Sequence, residues 1–541
     1  MSFAIWGETK AVVIETAGSW RLENIPSWCQ VSKSEGSGRD TIFLTASFNM
    51  ELEREQSIVV NGEHCRVELK LSQAANESGQ TPRLRDSIAL VALYRATSGD
   101  QWRMTEDIPT WSLLTEFRSW KGITTLMIDG QLRVRSIDLK ACGLIGTLPS
   151  ELGYLTELKG LELGGNGLTG SLPAELFQLT KLEKLDLSSN GLEGKIPEEI
   201  SQLSALMKLD LSGNMLSGTL PAKMGELQKL EYVSLAMNQL SGAIPVDFCR
   251  LSKLSELYLS DNQFDGALPS AFSDLSSLRN VNLSNNKFSG SFPSLARMSN
   301  LEILFLAENA FTSLPDDFSG LSYLNRLDVS GNQLVSIPSS LGQCRLLMEL
   351  YLQHNRIKEI PTSLYELSQL QLFFIMNNEL TSLSSKIVQL SSLEDFNAEN
   401  NQITGELNFS FSSLRNLIRF NVTNNQLSGV LPDLFASSIR YLGLNGNNFT
   451  GGLSERFLDY PNLTSLVVKD NCLKGIISSR FLEKYIMDDT EAEKPPRPSG
   501  AVEQYKTNWQ FWYMQRSICK QKEGFGFDNC VEAENGGEVW K

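Results

Sequence analysis

The sequence predicts a multidomain chain: a small all-β sandwich, then a long α/β solenoid, a right-handed superhelix with a parallel concave sheet. Three observations carry that expectation. A motif of leucines and one asparagine returns every 22–24 residues between residues 134 and 480. Residues 1–76 read as short apolar or alternating runs between Gly-rich turns. Aromatic-bearing segments flank the repeat, where a solenoid needs its apolar end faces covered.

The repeat motif is LxxLxLxxNxL. It reads Leu158-Leu161-Leu163-Asn166-Leu168, then Leu182-Leu185-Leu187-Asn190-Leu192, then Leu206-Leu209-Leu211-Asn214-Leu216. It continues through Asn238, Asn262, Asn286, Asn309, Asn332, Asn355, Asn378, Asn401, Asn425, Asn447 and Asn471. A degenerate first copy, Val134-Ile137-Leu139-Leu144, carries Cys142 at the asparagine position, which makes 15 copies, 14 of them with asparagine. Alternation within LxL gives each copy one short strand with its leucines inward. Stacked at about 4.8 Å, 15 such strands span roughly 70 Å. Each inward asparagine can serve backbone groups of the turn through its amide and its carbonyl. The pattern resembles the leucine-rich repeat, and its 24-residue form resembles the plant-type variant that bacteria and algae also use.

Between copies runs LxGxLP, with prolines at 149, 173, 197, 221, 245, 269, 293, 315, 338 and 361. They suit an irregular convex side that needs no ladder N–H. The asparagine spacing is 24 up to Asn286, 23 for five steps to Asn401, and then 24, 22 and 24. In the short copies LxGxLP contracts to FTSLP, LVSIP, IKEIP and LTSLS, which predicts a thinner convex side and a local change of curvature.

Residues 77–133 are expected to be a linker and the N-terminal cap. Asp86 or Ser87 is placed to cap a helix carrying Ile88, Val91, Ala92 and Tyr94. Ala89-Leu90-Val91-Ala92-Leu93-Tyr94, Gly99-Asp100-Gln101-Trp102 and SWKGIT at 119–124 resemble the segment that precedes many bacterial repeats of this kind. Residues 481–541 read as a linker, EKPPRPSG at 493–500, and an aromatic-rich stretch at 508–529 expected to fold as a C-terminal cap. That stretch is similar to the tail of several Bacteroidetes repeat proteins.

In residues 1–76, Trp20, Ile25-Pro26-Ser27-Trp28-Cys29, Val31-Ser32, Gly36-Ser37-Gly38, Asn49, Arg54 and Ser72-Gln73 follow one another in an order that resembles the BACON domain. That resemblance implies an immunoglobulin-like sandwich, as found in Bacteroidetes envelope proteins. It implies a cell-surface or periplasmic location after removal of a leader; were Met1 the native start, the protein would be cytoplasmic. It also raises sugar stacking by Trp20 and Trp28, against packing within the sandwich.

Composition narrows the function. The 541 residues carry a formal charge of −15, against nucleic acid as a partner and against plain electrostatic docking on anionic membranes. No run of about 20 apolar residues is present to span a bilayer. His64 and His354 are the only histidines, and no CxxC pair, GxSxG, HExxH or phosphate-loop signature falls in a suitable context. Cys249 and Cys344 occupy repeat positions that suit a small buried residue, while Cys519 and Cys530 are close enough to bridge. No enzyme activity, cofactor or metal is expected.

The residue between the two strand leucines of each copy faces outward. That column reads Asp138, Glu162, Asp186, Asp210, Ser234, Tyr258, Asn282, Phe305, Asp328, Tyr351, Phe374, Asn397, Asn421, Gly443 and Val467. Its acidic start suggests a cation site or a plain solvated face. Aromatics follow, and the adjacent column adds Tyr232, Ile303, Met348, Leu372 and Tyr441. Aromatics on a stiff sheet offer contact area at low entropic cost. Tyr232, Tyr258, Phe305, Tyr351 and Phe374 are therefore the candidate ligand-binding residues, with a protein ligand, host or microbial, as the expected partner. The alternative is glycan or mucin binding, through these aromatics or through Trp20 and Trp28.

Overall fold

The computed structural model describes residues 1–3, 8–46, 54–63, 65–73, 81–103, 111, 117–477, 480–481, 531–533 and 539–540. The chain forms two compact units, Met1–Ser241 and Gly242–Lys541.

The first unit opens with β1 (Ser2–Phe3), β2 (Glu8–Glu23), β3 (Cys29–Val31), β4 (Glu35–Ala46), β5 (Arg54–Gly62) and β6 (Arg66–Gln73). Hydrogen bonds join all six into one sheet in the order β1-β6-β5-β2-β4-β3. β2 pairs along most of its length with β4, slips register between Glu15 and Ser19, and near Trp20 also meets β5. The inward residues form a core of Ile14, Trp20, Leu22, Ile42, Leu44, Ile58 and Leu71.

Helix α1 (Pro82–Ala96) follows. Its N-cap is Thr81, whose side chain accepts from the Leu84 N–H, with Pro82 in the first turn. This corrects the expected Asp86 or Ser87 cap. Asp86 lies inside the helix with no exposed surface, and its carboxylate takes Arg133 Nε at 3.0 Å, Arg133 Nη2 at 2.9 Å and the Val134 N–H at 2.7 Å. Arg133 and Val134 belong to β8 (Gln131–Asp138), which pairs antiparallel with β7 (Ile123–Ile128). The pair thus pins the cap helix to the first repeat strand. Beside it, Tyr94, Trp102, Trp111 and Trp120 pack ring on ring, with Trp111 and Trp120 stacked at 4.7 Å.

Beyond β8, the short strands Gly160–Glu162, Lys184–Asp186, Lys208–Asp210 and Tyr232–Ser234 pair in parallel and in register. The asparagine of every copy does the work the spacing implies. Asn214 Oδ1 accepts from Leu192 N at 3.0 Å, and its Nδ2 donates to Leu187 O and Leu211 O, both at 3.0 Å. Asn214 therefore ties its own copy to the one before, as Asn190 and Asn238 do.

The second unit repeats this plan. Glu256–Tyr258, Asn280–Asn282, Ile303–Phe305, Arg326–Asp328, Glu349–Tyr351, Leu372–Phe374, Asp395–Asn397, Arg419–Asn421, Tyr441–Gly443 and Ser465–Val467 form a parallel ladder. The strand leucines are buried, as are Cys249 and Cys344. The residue before each asparagine is left-handed: Met237 at φ 56°, Glu308 at 53°, His354 at 57°. Glycine or asparagine holds that place in eight copies, among them Gly331, Asn377 and Asn400.

Convex strands depend on another glycine. Where LxGxLP is present, its glycine takes a positive φ (Gly266 at 73°, Gly290 at 76°) and a second parallel ladder forms through Gln263–Gly266 and Lys287–Ser291. The ladder ends at Ala310–Ser313, in the first copy that lacks this glycine. It resumes at Thr404–Glu406 with Gln426–Ser428, where Gly405 and Gly429 restore the motif. Of the contracted copies, FTSLP keeps its strand Ala310–Ser313, while LVSIP, IKEIP and LTSLS have none. Near the end of the chain, Gly475–Ile477 pairs parallel with Val531–Ala533, which pairs antiparallel with Val539–Trp540. The aromatic stretch at 508–529, Cys519 and Cys530 lie outside the described residues.

Candidate functional site

The outward column of the second unit brings Tyr258, Asn282, Phe305, Asp328, Tyr351, Phe374 and Asn397 side by side on successive strands. A parallel sheet in register leaves no choice here, because equivalent residues must be neighbours. Tyr258, Phe305 and Phe374 are half-buried, and Met348, at 39% exposed, borders them.

Tyr351 departs from the expected exposed anchor: it is 6% exposed. Its ring meets Phe374 edge-on at 5.4 Å, and its hydroxyl donates to Glu349 Oε2 at 3.1 Å. Long side chains on adjacent strands cover one another, so a column position that faces outward can still be dry. Burial, then the neighbouring Glu349, hold the Tyr351 hydroxyl well above its ordinary pKa. Tyr258 bonds Glu256 Oε2 at 2.8 Å in the same way.

The sequence marked Asp328 only as a column position and did not single out Glu349 or Asp395, yet all three acids are buried. Asp328 is 3% exposed, Glu349 6% and Asp395 7%. Burial pushes the Asp328 carboxyl up to about 6, against bonds from Ser330 N at 3.0 Å and Ser330 Oγ at 2.6 Å. Asp395 is likewise raised to about 6 by burial, opposed by Arg419, whose Nε lies 3.3 Å away. Arg419 also lies over the Tyr441 ring at 5.5 Å. Arg326 Nε reaches Glu349 Oε1 at 3.1 Å. His354 stands at the rim, its Nε2 3.4 Å from Asn377 Nδ2.

In the first unit, Tyr232 is half-buried, with Lys208 Nζ 4.5 Å over its ring and its hydroxyl 3.4 Å from Asp210 Oδ2. The acidic column there is partly neutralised from within: Lys140 pairs with Glu162 and reaches Asp186 Oδ2 at 3.2 Å. Among the described residues, no group of three or more His, Cys, Asp or Glu side chains is arranged to hold a metal ion. Trp20 is 2% exposed in the N-terminal core, so its ring presents no face to solvent. Trp28 is half-buried under Arg54, whose guanidinium carbon is 4.7 Å from the ring. Cys29 and Cys65 are both free.

A stiff parallel sheet bearing a row of aromatic and charged side chains defines a binding scaffold. The chain belongs to the leucine-rich-repeat proteins. The family profile described as a leucine-rich repeat region matches residues 130–291, and further leucine-rich-repeat profiles match 276–334, 345–403 and 416–437. A leucine-rich-repeat protein of Leptospira interrogans is 31% identical with a TM-score of 0.52, over 63% of this chain and 85% of that one. A TDR receptor is 34% identical with a TM-score of 0.57, over 64% of this chain and 66% of the receptor. The plant peptide hormone receptor RGFR1, solved with RGF2, is 29% identical with a TM-score of 0.54, over 62% and 63%. This chain thus spans slightly less than two thirds of either receptor chain. No curated protein sequence matches it. Among the described residues, no helix is long and apolar enough to cross a membrane.

Proposed function

We propose that this is a non-enzymatic binding protein displayed on a bacterial cell envelope, whose repeat sheet receives a protein or peptide ligand. The observation that carries this reading is the row Phe305–Asp328–Tyr351–Phe374, set by strand register on a sheet whose leucines are fully packed. Such a surface needs little ordering on association, so its side chains contribute to affinity directly. The likeness to a plant peptide hormone receptor supports the same reading. In this organisation residues 1–76 are a BACON-like, immunoglobulin-like spacer, 77–133 the N-terminal cap, 134–480 the repeats and 481–541 the C-terminal cap. The resemblance of the spacer to Bacteroidetes modules favours the cell surface or periplasm.

The test is a pull-down from mucosal extract with the full chain and with its Phe305→Ala/Phe374→Ala variant, before and after protease treatment of the extract. Capture that is lost with both the substitutions and the protease supports the reading. Capture that survives both refutes it.

A second reading, glycan binding by the N-terminal module, is favoured by one observation. A cleft of about 600 Å³ there is lined by Ser19, Trp20, Arg21, Glu35, Asn61 and Glu63, among others, and the buried Trp20 Nε1 has no hydrogen-bond partner. Sugar capture that persists after protease treatment and is lost with Glu35→Ala/Asn61→Ala would select it.

A further inference from the structure

Two carboxylates of the repeat sheet are buried alike and served differently. Asp395 has a cation of its own, Arg419, at 3.3 Å. Asp328 has none: its hydrogen bonds all fall on Oδ1 and come from the neutral Ser330. The arginine of the same strand, Arg326, is engaged with Glu349 at 3.1 Å. Glu308 and Glu349 both act on Asp328 as like charges. Arg326, Asp328, Glu349 and Glu308 therefore hold three carboxylates against one guanidinium. An isolated ionised carboxylate is costly to bury, and a positive charge brought to it recovers much of that cost.

The surroundings suit such a charge. Register places Phe305 and Tyr351 on the strands either side of Asp328, with Phe374 one strand further. Aromatic faces attract cations, most strongly where water is excluded. In the next outward position of the Tyr351 strand, Gln353 is 6% exposed and its Oε1 has no hydrogen-bond partner. It is a buried acceptor waiting for a donor, as Asp328 is a buried anion without a cation.

We propose that this position on the sheet receives a cationic side chain, lysine or arginine, of the protein ligand, with Asp328 as its counter-charge, Phe305 and Tyr351 flanking it and Gln353 Oε1 as a further acceptor. The proposal deepens the concave-face reading and rests on it. The groups acting on Asp328 are Ser330, Glu308, Glu349 and Tyr351, none of them a cation, and Arg326 on its own strand is held by Glu349. An arginine ligand brings several donors, enough to serve Asp328 and Gln353 together.

The experiment titrates the full chain, labelled at methionine methyl groups, with N-acetyl-arginine amide and, separately, with its neutral isostere N-acetyl-citrulline amide. Met348, which immediately precedes the strand Glu349–Tyr351, and Met376, two residues beyond Phe374, are the reporters. The expected result is a saturable shift of both methyls with the arginine probe only. Its Kd should rise at least tenfold in Asp328→Asn and remain unchanged in Asp265→Asn, which removes an equal charge at an exposed site. Glu349→Gln should weaken binding as well, which keeps the result independent of how one variant folds. Equal shifts with citrulline, no shift at all, or the same Kd in Asp328→Asn would each overturn the assignment. If the probe fails while Phe305→Ala/Phe374→Ala still abolishes protein capture, the cation site falls and the concave-face reading stands.

Discussion

Replacing Asp86 with alanine should loosen the helix that seals the repeat stack. The carboxylate holds both the Arg133 guanidinium and the Val134 N–H, so its removal leaves a charge that is 5% exposed and a backbone donor without an acceptor. A stranded buried donor alone costs about 1–3 kcal/mol. Losing one member of a buried ion pair costs about 3–5 kcal/mol, and the larger figure applies because Arg133 keeps only Thr156 Oγ1, at 3.0 Å. Burial raises the Asp86 pKa in spite of Arg133 and Val134, and exchanging a buried ion pair for well-packed apolar side chains is often neutral or stabilising. The double variant Asp86→Leu/Arg133→Leu should therefore recover most of the loss. Hydrogen exchange of the amides at 84–96 in the full chain measures the opening free energy of α1 in each variant. A drop below about 1 kcal/mol in Asp86→Ala, or a double variant as weak as the single, would refute the argument.

Three further outcomes follow from other sites. Burial raises Asp328 from 3.8 to about 6, so between those values the folded state holds more protons than the unfolded one. Its ionisation then costs stability as pH rises, fully so above about pH 6, and Asp328→Asn should gain about 3 kcal/mol at pH 7.5 but nothing near pH 3.5. Denaturant curves at both values check this, and an equal gain at both would contradict it. Asn332→Ala strands Phe311 N, while Leu306 O and Val329 O keep Asn309 and Asn355 as donors, and should cost about 1–3 kcal/mol in the same assay. Met237, exposed and at φ 56°, occupies a conformation that disfavours a side chain, so Met237→Gly should stabilise by about 0.5–1 kcal/mol. A loss in its melting temperature would count against that.

How much of this was legible in the sequence depends on range. The asparagine ladder was, because each bond spans one copy and the copies repeat. The contraction of LxGxLP marked the place where the convex side changes, but not that three copies there have no convex strand. Asp86 was misread, since its partner lies 47 residues on and nothing local distinguishes a capping aspartate from a buried one. The N-terminal strands were legible, but not their joining into one sheet, which β2 brings about by bending to meet two partners. At the candidate site the column positions of Tyr258, Phe305, Tyr351 and Phe374 could be read off directly. Their exposure could not: Tyr351 is dry because Glu349 and Phe374 crowd it, a matter of side-chain length on neighbouring strands. The unserved charge of Asp328 emerges only when Arg326 is seen to be occupied.

The asparagine ladder has a mechanical consequence. Because Asn214 and its equivalents bridge only adjacent copies, force applied along the stack meets the same fastening again and again. Such a structure should yield in steps, each freeing one copy of 22–24 residues and letting out roughly 80 Å of chain. A protein built this way gives ground under load by lengthening, and can re-close one copy at a time when the load is removed.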